Sequence, residues 1–204
     1  NMGLSQLSVT IEKNGKVIIK DDGGIPVVKH EDAGCYLPEF IFGMLRTSSN
    51  YDDSEDRTGI GTNGLGVKIG NIFSKEFSVK TADAKNEIEV IWKNNMRDVV
   101  SHGIPKKTNK HYTQTSFTID FNQFEVKTFT EDFINIIEKR CIDAAAANLG
   151  LKVKFEYVDD DNGRKSSWKF AKFDQYIDLY GGYVDVEDGI KFADDMKQVW
   201  VYPS

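Results

Sequence analysis

The sequence predicts an α+β fold, a two-layer sandwich with helices over one face of a mixed β-sheet, and three patterns in its 204 residues carry that prediction. LSVTIEKNGKVIIKDD alternates apolar and polar residues on both sides of Asn14-Gly15, which marks an antiparallel hairpin. TEDFINIIEKRCIDAAAANLG reads as one long amphipathic helix, opened by Thr130 and closed by Gly150. LKVKFEYV follows it as a last core strand, and hairpins interspersed with helices argue against an all-parallel sheet.

The remaining elements follow in order. LPEFIFGMLRTS, from Leu37, has Pro38 at a helix-start position and Phe40, Ile41, Met44 and Leu45 at helical spacing. SNYDDSEDRTGIGTNG is polar, acidic and glycine-rich, too long for an ordinary connection and typical of a functional loop or lid. Leu65 to Phe73 returns to a helical pattern. EFSVKTAD, NEIEVIWKNN and QTSFTIDF read as strands, and the final VWVYPS as the start of another. The tail from Asp159 is polar and aromatic by turns, and Tyr176, Tyr180 and Tyr183 are expected to pack against a neighbouring domain.

Composition narrows the function. A formal charge of −6 argues against a surface that binds nucleic acid generally, because phosphate neutralisation needs a basic stripe. Cys35 and Cys141 lie far apart with no CxxC spacing, so neither a disulfide framework nor a zinc site is suggested. No apolar run approaches the roughly 20 residues of a membrane span, so no membrane partner is expected. His30, His102 and His111 are scattered in polar stretches and read as exposed side chains rather than ligands.

The glycine-rich stretch GTNGLGVK is the strongest chemical signal. It is not a Walker A loop, because Val67 stands between Gly66 and Lys68. Gly59, Gly61 and Gly64 match G-x-G-x-x-G, yet DDSEDRT before them is no strand, so a dinucleotide fold is rejected. What remains is G-x-x-G-x-G at Gly61, Gly64 and Gly66, running into a helix whose first turn carries Lys68. Such a junction suits an anion, although a glycine-rich loop alone is as readily a flexible connection. KDDGGIPV adds carboxylates at a strand end, placed to accept from an exocyclic amine in an apolar pocket. TSSNYDD adds hydroxyls and an amide, and HYTQTSFTIDF starts a strand with Thr113. The acidic run at Asp52 to Asp56 reads as a solvated face or as neighbours of Mg²⁺.

Taken together, FIFGMLRTSSNYDDSE, GIGTNGLGVKIGNIFS, the NNM at Asn94 to Met96 and YTQTSFTIDF resemble the ATP-binding domain of type IIA DNA topoisomerases, over roughly Leu7 to Tyr180. That domain belongs to the GHKL superfamily, and the pattern is most similar to the eukaryotic enzyme and the phage large subunit. The resemblance implies a Bergerat fold with ATP and Mg²⁺ as cofactors. It implies that Asp21 receives the adenine amine, with Gly24 and Ile25 shaping the base pocket and Thr113 supporting it. Ser48, Ser49 and Asn50 would contact ribose and phosphates, while Gly61, Thr62, Asn63, Gly64, Leu65, Gly66, Val67 and Lys68 would wrap the triphosphate. DDGGIP is one residue shorter than the family pattern, so either Asp21 or Asp22 fits the adenine role.

The family's E-x-x-x-N helix, with its water-activating Glu and Mg²⁺-holding Asn, belongs before the first hairpin, and no such helix is read in the chain, which begins NMGLSQLSV. The expectation is an ATP-binding domain over residues 1–196 without its first helix, the transducer domain starting at 197–204, no catalytic residue within, and negligible ATP turnover by the chain alone. The implied partners are ATP, DNA through other domains, and a second copy or other topoisomerase subunits. The implied location is the cytoplasm, the nucleus if eukaryotic, or the host cytoplasm if phage. Another GHKL ATPase or histidine-type kinase, or a nucleotide-sensing module that only binds, are the alternative readings.

Overall fold

The computed structural model describes residues 3–45 and 65–180, and two further strands at 190–193 and 198–201. The strands are β1 (Gln6–Glu12), β2 (Lys16–Asp21), β3 (Ser74–Asp83), β4 (Asn86–Lys93), β5 (Asp98–Ser101), β6 (Lys106–Lys107), β7 (His111–Ile119), β8 (Lys152–Val158), β9 (Arg164–Trp168), β10 (Ile190–Ala193) and β11 (Gln198–Val201). The helices are α1 (Leu37–Gly43), α2 (Gly66–Ile72), α3 (Glu131–Ala147) and the short α4 (Asp174–Ile177). The main sheet runs β5-β4-β3-β7-β2-β1-β8-β9, with β6 paired to the free side of β4. Its pairs are antiparallel except β1 with β8, which run parallel, so the sheet is mixed as the sequence predicts.

Local chemistry explains the elements. The β1–β2 connection places Gly15 at φ +96, a left-handed conformation open to glycine, and the Gly15 N–H closes the turn on the Glu12 carbonyl at 2.9 Å. Thr130 caps α3 by accepting the Phe133 N–H at 3.2 Å, and Glu131 and Asp132 complement the dipole of the first turn. The sequence reading overextends α1, which ends at Gly43 with Met44 already in extended conformation.

Cross-strand partners share a face, so the register sorts the helix-covered side of the sheet into rows. One row reads Tyr157, Ile11, Val17, Phe117, Phe77, Trp92, and the next Phe155, Val9, Ile19, Thr115, Val79, Val90. The helices split this face into two cores. Val9, Ile11, Val17, Val153 and Phe155 pack with Ile134, Cys141, Ala145 and Ala146 of α3. Val27, Phe77, Val79, Ile88, Val90 and Trp92 pack with Phe42 of α1, and Phe117 touches both clusters.

Two expectations are corrected. β8 is not the last core strand, because β9 pairs with it antiparallel and adds Trp168 to the α3 core. Tyr176 packs within this unit: its hydroxyl donates to Asp143 of α3 at 2.8 Å and its ring meets Phe170, Phe173 and Tyr180, whose own side chain stays exposed. Tyr183 lies outside the described residues.

Candidate functional site

The last row of the helix-covered face differs from the other two. It reads Val153, Leu7, Asp21, Thr113, Thr81, Ile88, apolar at both ends and polar in the middle. The polar strip falls between the two cores, at the strand ends where β2 gives way to the turn Asp22-Gly23-Gly24.

That turn is held from below by hydroxyls. Thr113 Oγ1 donates to the Gly23 carbonyl at 2.7 Å and lies 2.9 Å from Thr81 Oγ1. Thr81 Oγ1 accepts the Ile25 N–H at 2.9 Å, and Asp83 Oδ2 accepts the Val27 N–H at 2.9 Å. Gly24 is pressed so closely on β3 that a Cβ there would sit 2.2 Å from the Ala82 carbonyl oxygen, so the close approach requires glycine. The segment from Asp21 to Val27 is thus laid across the sheet and tied to it at three residues, Gly23, Ile25 and Val27. Thr81 and Asp83, which the sequence reading did not single out, supply two of those ties. No sequence motif marks them; the β3–β7 register does.

The two candidate aspartates point to different environments. Asp21 is half-buried, and burial pushes its carboxyl above the ordinary range, opposed by the Gly23 N–H, which it accepts at 2.8 Å. Asp22 alternates to the other face. It takes the Ser5 hydroxyl, the Ser5 N–H at 3.0 Å and the Gln6 N–H at 3.1 Å, and these bonds, the hydroxyl first, hold its carboxyl below the ordinary range. Asp22 is therefore occupied in pinning the start of β1. A cleft of about 600 Å³ is bordered by both aspartates together with Ser8, Lys20, Tyr112 and Lys154, the last four alternating to the face away from the helices.

On the other side, α2 buries Lys68 and Asn71, both 2% exposed or less, and burial pushes the Lys68 ammonium below the ordinary lysine range. Asn71 Nδ2 donates to the Phe42 carbonyl at 3.2 Å, joining α2 to the end of α1. Leu65, Gly66 and Val67 lie at the start of α2, with Leu65 and Val67 exposed. Ser48, Ser49, Asn50, Gly61, Thr62, Asn63 and Gly64 lie outside the described residues, as does the acidic run at 52–56.

The spacing E-x-x-x-N does occur once, at Glu131 and Asn135 on α3, which corrects the expectation that the chain holds none. Both side chains serve the fold: the Arg164 guanidinium donates to Glu131 and Asn135 at 2.6 Å each and to Glu138 at 2.7 Å. Arg164 pairs with Tyr157, in the row farthest from Asp21. Among the described residues no three His, Cys, Asp or Glu side chains gather as a metal site. The histidines are engaged: His30 stacks on Phe40, His102 meets Glu39 at 2.7 Å, and His111 meets the Asp22 carbonyl at 2.8 Å. Among the described residues no helix is long and apolar enough to cross a membrane.

No protein-family model matches the chain. It is 37% identical over 183 residues, 88% of its length, to probable DNA topoisomerase 2 of Dictyostelium discoideum, and 36% identical over 182 residues to human DNA topoisomerase 2-beta. It spans 12% and 11% of the lengths of those relatives. Its fold matches the ATPase region of Saccharomyces cerevisiae topoisomerase II with a TM-score of 0.80 and 30% identity, over 94% of this chain and 50% of that one. The ATPase and transducer domains of DNA topoisomerase II from Balamuthia mandrillaris match with a TM-score of 0.84 and 32% identity, over 99% and 51%. The mixed sheet, the two-core helix layer and these similarities agree, and the chain belongs to the GHKL ATPase-domain family of type II DNA topoisomerases.

Proposed function

We propose that this chain is the nucleotide-binding part of an ATP-dependent type II DNA topoisomerase, and that ATP sits over the polar strip between the two cores. The observation that carries this reading is Asp21: a half-buried carboxylate in one row with Thr113 and Thr81, facing the helix layer, at the turn that the resemblance assigns to adenine. Its unsatisfied lone pairs suit an exocyclic amine, whereas Asp22 is spent on Ser5 and Gln6. Gly24 and Ile25 would then form the wall beside the base. Ser48, Ser49 and Asn50 would reach ribose and phosphates, and the segment from Gly61 to Lys68 would wrap the triphosphate. Mg²⁺ would arrive on the nucleotide, held largely by its phosphates. In the complete enzyme, ATP binding would join two such domains into a gate around DNA that other domains contact, and hydrolysis would reset it. The relatives described above are topoisomerases, which lends no support to a kinase or a binding-only module.

Calorimetric titration of the chain with ATP and GTP in Mg²⁺ tests the reading. Saturable ATP binding, tighter than GTP by about tenfold, is expected because a carboxylate acceptor repels the guanine carbonyl. Equal affinities, or no nucleotide binding, would overturn it.

A further inference from the structure

We infer that Thr81, on β3, is a positioning residue for base recognition: it sets the backbone of the turn that follows Asp21, without touching nucleotide itself. The inference rests on the nucleotide reading above and adds a residue that reading does not contain. Thr81 is fully buried, 0% exposed, and its hydroxyl is the junction of three groups. It accepts the Ile25 N–H at 2.9 Å, lies 3.1 Å from the Tyr112 carbonyl and 2.9 Å from Thr113 Oγ1, while Thr113 donates its own proton to the Gly23 carbonyl at 2.7 Å. The proton order follows: Thr113 gives to Gly23, Thr81 gives to Tyr112 or Thr113, and Ile25 gives to Thr81.

This chain of bonds fixes the Gly23 carbonyl and the Ile25 amide on either side of Gly24, whose own approach to the Ala82 carbonyl leaves no room for a side chain. A turn pinned at both ends and pressed down in the middle has one height above the sheet. That height decides whether a base stacked beside Ile25 presents its amine to Asp21. Specificity for the base is therefore set partly two strands away from Asp21, through β7 to β3. Removing the hydroxyl leaves the half-buried Ile25 amide without its acceptor, and the turn lifts to find another.

Thr81→Val tests this, because valine keeps the β-branched volume and removes the junction. Measured by calorimetry on the whole chain, ATP affinity should fall about tenfold, while inorganic tripolyphosphate, which lacks a base, binds as before. Thr81→Ser, which restores the hydroxyl, should recover ATP affinity. Equal losses for ATP and tripolyphosphate, or no loss of ATP, would overturn the positioning role. Asp21→Asn runs beside it. If Asp21→Asn weakens ATP and Thr81→Val does not, Thr81 has no such role and the nucleotide reading stands; if neither substitution weakens ATP, the base is not read at Asp21 and the placement of ATP over the polar strip fails with the positioning role. Should Thr81→Val not fold, amide exchange at Ile25 in the unsubstituted protein decides: slow exchange that slows further with ATP supports the inference, and exchange at the rate of a free amide ends it.

Discussion

The two cores on this one sheet are closed by very different helices. Over β1, β8 and β9 lies a 17-residue helix with a capped start, tied to β9 by the Arg164 fork and to α4 by Tyr176. Over β3 and β4 lie α1 and α2, seven residues each and without side-chain caps. Helices that short do not persist alone, so they borrow order from packing: Phe42 against Phe77, and Gly43 against Trp92, where a Cβ would meet the indole at 2.8 Å. The α3 half is a buttress, whereas α1 and α2 stand on either side, in sequence, of the glycine-rich segment.

The largest test of that contrast is a pair of truncations. Phe155→Ala, in the α3 core, should destabilise the chain by about 3–5 kcal/mol in urea unfolding. Phe42→Ala should cost less stability and more ATP affinity, since α1 leads into the segment assigned to ribose and phosphate. Equal global losses with ATP binding intact would erase the distinction. Next in size, Gly24→Ala should cost about 1–3 kcal/mol, because its Cβ collides with the β3 backbone. Nucleotide affinity should fall with it; a silent substitution would mean that the turn is not pressed on the sheet.

Acid should loosen the α3 half first. Asp159 accepts the Asp161 N–H and pairs with Lys13 and Tyr157, and these bonds hold its carboxyl at about 2. A depressed carboxyl stabilises the fold above the ordinary carboxylate range, and that contribution is lost as pH falls from about 4 toward 2. Asp159→Asn should therefore flatten the melting temperature in that window. Asp21 behaves oppositely. Its raised carboxyl means that the unfolded chain ionises first, so ionisation disfavours the fold, and stability declines as pH rises through the unfolded value. Asp21→Asn should raise the melting temperature slightly near neutral pH, an advantage that vanishes in acid. A lowered melting temperature would mean that Asp21 holds the turn rather than awaiting a ligand.

Much of the fold was legible because its signals are local. The Asn14-Gly15 turn, the Thr130 cap and the alternation of β3, β4 and β8 each fall within a few residues. β9 was missed because RKSSW carries a single large apolar residue and draws its place from Tyr157 and Phe155 on β8. Tyr176 was misread because aromatic spacing does not say which surface a ring meets. Glycine motifs and Asp21 stand out in the sequence, but Thr81 is one threonine in an ordinary strand, and its importance comes from register with Thr113. The different surroundings of Asp21 and Asp22 also come from register, since a one-residue shift moves a side chain to the opposite face.

In the proposed function, the strip between the cores reads adenine through Asp21. Calorimetric titration of Asp21→Asn and Asp22→Asn with ATP tests it most directly. The account predicts that Asp21→Asn loses about tenfold or more in affinity, because an amide can turn a donor toward the adenine amine, while Asp22→Asn, whose side chain serves Ser5 and Gln6 on the other face, binds ATP as the unsubstituted chain does. A silent Asp21→Asn beside a damaging Asp22→Asn would contradict it.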